Sequence, residues 1–113
     1  MNRGEIVEVD WPYSDLTGTK RRPAIVVQAD DLNGLLDDTI FVKVQGNAYA
    51  IPGTEVLLDP ALETLSGLSK VCYASCKDIL TREQALVLGS VGMLSDRAMR
   101  EIEACLARVL DIP

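Results

Sequence analysis

Short apolar runs separated by polar connections occupy most of the 113-residue chain. Runs that are rich in β-branched residues and bounded by Gly, Pro, Asn and Asp are typical of strands. They predict five strands, over 4–11, 23–29, 39–45, 54–58 and 69–76. The polar segments between them are predicted as connections, over 12–22, 30–38 (with a turn at Asn33–Gly34), 46–53 and 59–68, the last with at most one helical turn.

The C-terminal segment has a different period. Apolar residues recur at spacings of three and four from Met99 to Leu110, which places them on one face of a helix. Ser95 is a suitable N-cap, so the pattern predicts a helix over 95–112. Thr81 and Gln84 have the spacing of a capping box and predict a short helix over 81–88. Strands followed by a helix indicate an α+β fold, with the strands curled into a small barrel or sandwich.

Composition limits the classes of function. A chain of 113 residues, 48% hydrophobic, is expected to form a single domain over 1–113, only modestly stable by itself. Its net charge of −6 disfavours a protein that coats nucleic acid generally, because such proteins neutralise phosphates. A local basic groove remains compatible with that charge. No apolar run approaches the length of a membrane span.

The chain contains no histidine, which removes the commonest general acid–base group and the commonest metal ligand. Its three cysteines, Cys72, Cys76 and Cys105, lack the second pair or the histidines that would complete a zinc site. We therefore expect no metal and no cofactor. An odd number of cysteines without a signal peptide predicts a cytoplasmic protein whose free thiols fill the core.

Positive charge is concentrated in one segment, where Lys20, Arg21 and Arg22 precede Pro23. Proline biases the residue before it towards extended geometry, so Arg22 is predicted to lie where a loop becomes a strand. Its planar guanidinium suits a phosphate and stays charged at any working pH. The segment predicts a phosphodiester site. The alternative is a solvated charge cluster that protects a strand edge from aggregation.

Neighbouring hydroxyl and aromatic residues extend this candidate site. Thr17 and Thr19 add hydroxyl groups just before the cations. Tyr13 lies in the same predicted loop and is suited to stacking on a base, whereas Tyr49 lies in the connection after the third strand. Trp11 is expected to pack in the core.

An ordered set of segments resembles the PemK/MazF toxins of type II toxin–antitoxin systems. GEIVEVDWPYSDLTGTKRRPAIVVQ carries their N-terminal pattern: a Gly-Glu-Ile-Val strand, an aromatic-Pro-aromatic step, a glycine-containing loop and Arg-Pro-Ala before a valine-rich run. YASCKDILT is similar to the family's late strand, and VGMLSDRAMREIEACLARVL is similar to its C-terminal helix. The resemblance thus covers nearly the whole chain in the right order.

The resemblance implies a small SH3-like β-barrel of the CcdB/MazF/PemK type, with about five to seven strands, a C-terminal helix and homodimeric assembly. It implies metal-independent cleavage of single-stranded RNA through attack by the ribose 2′-hydroxyl. It also implies neutralisation by a cognate antitoxin and DNA binding in complex with that antitoxin. By position, the resemblance implies that Arg22 stabilises the charge on the phosphorane or shuttles a proton, and charge stabilisation often contributes more to the rate than any other effect.

The end of the third strand departs from the family pattern. Members usually carry a Thr or Ser there that contacts the scissile phosphate, whereas this chain has Gln45 and Gly46. The Gln45 amide is able to donate a hydrogen bond in its place but is a poor proton carrier. Asn47, the next polar residue, also lacks a hydroxyl.

The late strand departs as well, because Cys76, Lys77 and Asp78 stand where the family often has Cys-Asp-Gln. Lys77 adds a positive charge that either serves RNA or is simply solvated. The candidate catalytic residues are therefore Arg22 and Gln45. The candidate substrate-binding residues are Tyr13, Thr17, Thr19, Lys20, Arg21, Asn47 and Lys77.

Three functions remain open from the sequence. The first is an endoribonuclease toxin. The second is a catalytically weakened or silent homologue that binds the antitoxin as a regulator, an interpretation that Gln45 and Gly46 favour. The third is a protein-poisoning toxin similar to the gyrase-directed CcdB group, whose activity depends on its C-terminal residues. The segment RRPAIVV favours the first two.

Overall fold

Six antiparallel strands form one curled sheet in the computed structural model, which describes residues 1–113. The order across the sheet is β4-β5-β3-β2-β1-β6. The strands are β1 (Glu5–Pro12), β2 (Thr19–Val26), β3 (Asp38–Gln45), β4 (Glu55–Leu58), β5 (Cys72–Glu83) and β6 (Gly89–Met93). The helices are α1 (Asp30–Leu35) and α2 (Asp96–Val109). The predicted barrel-type fold with a C-terminal helix is confirmed.

Apolar side chains cover both faces of the sheet, which explains why β2 has a continuous hydrophobic run. Ile25 joins the larger core of 14 residues, which includes residues of α2. Its neighbours Ala24 and Val26 point the other way, into a second core of six residues with Phe41 and Trp11. The expectation that Trp11 packs in the core is confirmed. All three cysteines are free and buried in the larger core, as expected.

Helix α2 begins as the sequence predicts, at Ser95, whose Oγ accepts a hydrogen bond from the Ala98 N–H at 3.1 Å. A second cap comes from a distant loop. The carboxylate of Glu63, only 2% exposed, accepts hydrogen bonds from the backbone N–H and the hydroxyl of Ser95, both at 2.8 Å. Met99 and Ile102 then pack into the larger core. Neither helix is long and apolar enough to cross a membrane.

Strand β5 bends at a bulge formed by residues 76–78. Ser75 pairs with Lys43 of β3 and Ile79 pairs with the adjacent Val42, so three residues of β5 have no counterpart. A bulge bends its strand and increases the local twist. Strand β5 therefore turns from pairing with both β4 and β3 to pairing with β3 alone.

The helix predicted over 81–88 is wrong. Strand β5 continues to Glu83, pairing with β3, and only a single 3₁₀ turn over Gln84–Leu86 follows. The non-local ladder outweighs the local capping signal. Gln84 instead donates its side-chain amide to the carbonyls of Asn33 and Leu36, both at 2.9 Å.

Two elements are absent from the sequence prediction. The sequence does not predict strand β6, because glycines interrupt its apolar pattern. Gly92 is needed there for packing, since a Cβ at this position would come within 2.3 Å of the Ser66 carbonyl group. Helix α1 forms where the sequence predicts a turn, and it buries Asn33. Its Oδ1 accepts hydrogen bonds from Gln28 Nε2 at 2.9 Å and Thr39 Oγ1 at 2.6 Å.

Candidate nucleic-acid interface

The cationic segment belongs to strand β2 and not to the loop before it. Residues 19–22 pair with residues 9–12 of β1, with Arg22 opposite Val9. The prediction that Arg22 marks the change from loop to strand is therefore wrong by three residues, because the ladder with β1 extends back to Thr19. The Arg22 backbone is held inside a paired strand, which fixes its side chain more firmly than a loop would.

Strands β2 and β3 separate next to Arg22. Their ladder ends at the pair Ala24–Lys43, although both strands continue. Side chains two residues apart on a strand share a face. Arg22 and Gln45 each lie two residues beyond that pair on the same face, so they stand at corresponding positions where the strands part.

A groove of about 620 Å³ opens at this point. Strand β2, the end of β3 with the loop after it, and residues 68–72 line the groove. Five of the chain's 11 cationic residues line it, and none of its lining residues is a carboxylate. The five are Lys20, Arg21, Arg22, Lys43 and Lys70. A chain with a net charge of −6 thus has a groove of positive potential, which is suited to attracting a polyanion.

Arg22 is the half-buried cation of the groove without an acidic partner. It takes part in none of the chain's six ion pairs. Its neighbour Arg21 instead forms an ion pair with Glu8 across the ladder to β1. The guanidinium donors of Arg22 are therefore available to an anionic ligand, while part of the charge of Arg21 is compensated.

Gln45 supports the loop that follows β3. Its Nε2 donates a hydrogen bond to the Asn47 carbonyl at 2.9 Å. The second amide hydrogen and the amide oxygen make no other contact of this kind with the chain, so Gln45 retains a donor for a ligand. Asn47 itself is exposed and lines the groove.

A carboxylate outside the lining of the groove organises the bulge of β5. Asp78 accepts hydrogen bonds from Ser75 Oγ at 2.7 Å and from Lys77 Nζ at 2.9 Å, and it lies 3.3 Å from Lys43 Nζ. Burial acts to raise the pKa of Asp78, but these hydrogen bonds and the charges of both lysines outweigh it and lower the pKa. Asp78 therefore stays ionised and holds Lys43 at the groove wall.

Lys77 is exposed and is not among the residues that line the groove, although it contacts one of them. Its Nζ lies 3.8 Å from the centre of the Tyr49 ring, and Tyr49 lines the groove. Burial acts to lower the pKa of Lys77, yet the hydrogen bond and charge of Asp78 raise it overall. Direct binding of RNA by Lys77 stays a prediction that this position does not favour.

Three other predicted residues lie in the turn between β1 and β2 or at the first position of β2, outside the lining of the groove. Thr17 donates its backbone N–H and its hydroxyl to Asp15 Oδ1, at 3.0 and 2.7 Å, and these bonds lower the pKa of Asp15. The Tyr13 ring lies against Gly18, and Thr19 is exposed. The structure thus unites Arg22, Gln45, Lys20, Arg21 and Asn47 but not these three; their roles remain predictions.

The sequence reasoning missed Lys43, Ser69 and Lys70, which also line the groove. The alternation of TIFVKVQ was sufficient to find Lys43, since it shares a strand face with Gln45. Ser69 and Lys70 reach the groove through the long connection between β4 and β5. No periodicity in that connection indicates its path.

The fold is that of a small curled-sheet protein with a C-terminal helix, and its candidate site is a basic groove. The model of the PemK-like, MazF-like toxin family of type II toxin–antitoxin systems matches residues 2–110, and the chain belongs to this family.

Solved structures with the same fold span both chains almost completely. An endoribonuclease in complex with its cognate antitoxin, from a Mycobacterial species, is 21% identical with a TM-score of 0.82, covering 100% of this chain and 97% of its own. Mycobacterium tuberculosis toxin MazF-mt6 is 17% identical with a TM-score of 0.78, covering 96% and 98%. A chain of the MazE–MazF crystal structure from Deinococcus radiodurans is 20% identical with a TM-score of 0.76, covering 100% and 98%. These similarities show the fold.

Proposed function

We propose that the chain is the toxin of a type II toxin–antitoxin pair and cleaves single-stranded RNA in the cytoplasm without a metal ion. Family membership supports the toxin assignment. The basic groove supports a phosphodiester substrate, since five cations and no carboxylate line it. Similar chains described as endoribonucleases support the reaction class.

In the proposed reaction, the ribose 2′-hydroxyl attacks the adjacent phosphorus. The bond from phosphorus to the 5′-oxygen breaks, which leaves a cyclic phosphate on one fragment and a 5′-hydroxyl on the other. Water accepts the proton of the attacking hydroxyl and supplies one to the leaving oxygen. Arg22 stabilises the charge that develops on the phosphorane, and the free amide hydrogen of Gln45 orients a phosphate oxygen.

One observation carries this proposal: the half-buried Arg22 lines a cationic groove and has no acidic partner. An arginine that only solubilised the surface would not need this position. A groove in which a carboxylate already neutralised Arg22 would be a poor phosphate site, because the ligand would have to displace it.

Purified protein incubated with a long unstructured RNA in EDTA tests the proposal. Discrete fragments with 5′-hydroxyl ends are expected from the wild type. Arg22→Ala is expected to lower the rate by about 100-fold or more. Arg100→Ala, which removes an exposed cation from α2, is the matched control and is expected to cleave like the wild type. Equal rates for Arg22→Ala and the wild type would contradict the role of Arg22.

A catalytically silent homologue that binds the antitoxin is the second candidate function. It is favoured by the amide of Gln45, which is engaged with Asn47 where the family usually carries a hydroxyl. Ser69 weakens this candidate, because it supplies a hydroxyl to the same groove from another segment. Absence of cleavage over a broad panel of RNA sequences, by protein shown to be folded, would select the silent homologue.

We further propose a cognate antitoxin and a second copy of the chain as partners. The Mycobacterial structure is described as a complex of an endoribonuclease with its cognate antitoxin. Exposed leucines support a partner surface, with Leu57, Leu62 and Leu65 each more than half exposed. Sedimentation of the purified chain, alone and with the candidate antitoxin, measures both assemblies.

A further inference from the structure

The loop after β3 is fixed at three places although it is exposed. The Gln45 amide donates to the Asn47 carbonyl at 2.9 Å. The two carboxylate oxygens of Glu55 accept the backbone N–H groups of Tyr49 and Ala50, each at 2.9 Å. Ala50 adopts a left-handed conformation with φ of 59°, which turns the chain sharply at this point. Tyr49 is therefore presented from a braced loop and not from a free one.

The Tyr49 ring contacts a cation and remains partly accessible. The Lys77 ammonium lies 3.8 Å from the ring centre, within the range of a cation–π contact. Tyr49 nevertheless remains 53% exposed, and it lines the basic groove. A ring that contacts a cation, lines the groove and is still half exposed thus has surface available to a ligand in the groove.

The charge of Lys77 is already compensated before any ligand binds. Its Nζ donates to Asp78 at 2.9 Å, and Asp78 is fixed in turn by Ser75 at 2.7 Å and by Lys43 at 3.3 Å. This network ties Lys77 to the bulge of β5. A paired ammonium that contacts a ring is a weaker phosphate ligand than a free cation, but its contact fixes the position of the ring.

We propose that Tyr49 is a stacking platform for one base of the bound strand and that Lys77 positions this platform instead of contacting RNA. The inference deepens the proposed function and rests on its RNA-binding part. The ligand that it names is an unpaired nucleobase beside the phosphate held by Arg22. Stacking on an aromatic ring is sequence-tolerant because every base has a π-face, so the platform accepts any unpaired base.

Binding of 2′-O-methyl RNA tests the platform without cleavage, because the attacking hydroxyl is blocked. The probes are single-stranded oligonucleotides of mixed sequence, and a second set carries one abasic site at each position in turn. Tyr49→Ala is expected to bind the intact strand about 5- to 150-fold more weakly, which corresponds to the loss of one stacked base. Tyr49→Phe, which keeps the ring, is expected to bind like the wild type.

The abasic set identifies the stacked base through a double-mutant cycle. At one position, removing the base is expected to weaken binding to the wild type by the same factor as Tyr49→Ala. The same abasic probe is expected to cost Tyr49→Ala nothing further. Equal binding of Tyr49→Ala and the wild type would overturn the inference, as would abasic costs that are identical for both proteins at every position.

Lys77→Gln separates positioning from phosphate contact. A positioning role predicts weaker binding with Tyr49 present, no further loss in the Tyr49→Ala background, and an unchanged slope of log affinity against log salt. A phosphate contact instead predicts a slope reduced by about 1, whatever residue stands at 49, and would overturn the role of Lys77. Lys77→Arg, which keeps the cation, is expected to bind like the wild type.

Cleavage of unmodified RNA reports on the proposed function separately. If the protein cleaves RNA but binds 2′-O-methyl RNA equally well without the Tyr49 ring, the platform is overturned and the ribonuclease stands. If binding depends on Tyr49 at one base but the protein does not cleave, the platform is supported and the ribonuclease is overturned.

Discussion

The side-chain amide of Gln45 donates a hydrogen bond to the backbone carbonyl of Asn47, at 2.9 Å. The residue that the sequence resemblance places at the position of the family's usual hydroxyl therefore also braces the loop that carries Tyr49. Replacing Gln45 by threonine would restore a hydroxyl and remove the brace together. A hydroxyl at the next residue avoids this conflict, because a Cβ at Gly46 would meet no atom within 4 Å.

We therefore predict that Gly46→Ser raises kcat on single-stranded RNA and leaves KM near its wild-type value. Gln45→Thr is expected to raise KM, since the lost hydrogen bond is worth about 1 kcal/mol, which corresponds to a factor of about five. Steady-state cleavage of a fluorogenic oligonucleotide measures both constants. Gly46→Ala is the control without a hydroxyl, and a kcat equal to that of Gly46→Ser would contradict the prediction.

Glu8 is predicted to weaken RNA binding by pairing with Arg21. Glu8→Gln releases Arg21 towards the groove, and we expect about two- to five-fold tighter binding of 2′-O-methyl RNA with a steeper salt dependence. Glu103→Gln is the matched control, because it removes the same charge from an ion pair with Arg3 outside the groove lining. Equal effects of the two substitutions would indicate net charge alone and would contradict a local role.

Elements with local signals could be predicted, whereas those that depend on distant pairing could not. Helix α2 carries its cap and its apolar stripe within one segment, so Ser95 and Met99 were sufficient to find it. The continuation of β5 to Glu83 depends on the ladder with β3, and local capping chemistry at Thr81 suggested the opposite. Strand β6 depends on its pairing with β1.

The residues of the candidate site also divide into those with a local signal in the sequence and those that only the fold brings to the groove. Arg22 and Gln45 lie in segments that resemble a known family or stand out by departing from it. Lys70 and Ser69 reach the groove only through the path of a long connection. The relation of Lys77 to Tyr49 depends on the three-residue bulge of β5, which no spacing in the sequence reveals.

Glu63 is predicted to contribute substantially to stability. Its carboxylate is 2% exposed, accepts two hydrogen bonds from Ser95 and lies 3.3 Å from Arg97. Glu63→Ala is expected to lower the free energy of unfolding by about 2–4 kcal/mol, because it removes the second cap of α2 and leaves a cavity. Urea unfolding followed by circular dichroism measures this loss.

The control for Glu63 is Glu101→Ala. Glu101 is exposed and pairs with Arg97 at 3.4 Å within the same helix, so its loss is expected to cost less than about 0.5 kcal/mol. The same urea midpoint for both variants would show that the buried carboxylate does not hold the start of α2.

Asp78 is predicted to make stability depend on pH in the acid range. Its pKa in the folded protein lies below the ordinary value of 3.8, although burial opposes this, because Lys77, Ser75 and Lys43 stabilise the carboxylate. A lowered folded-state pKa contributes stability that is fully present above the unfolded-state pKa and is lost as pH falls through the folded-state pKa. The free energy by which the wild type is more stable than Asp78→Asn is therefore expected to be constant near neutral pH and to shrink below about pH 4.

Urea midpoints of both proteins between pH 3 and pH 7 measure this difference. The control is Asp96→Asn, at an exposed site in the first turn of α2. A difference that stays constant down to pH 3 would show that Asp78 is not held ionised by its neighbours.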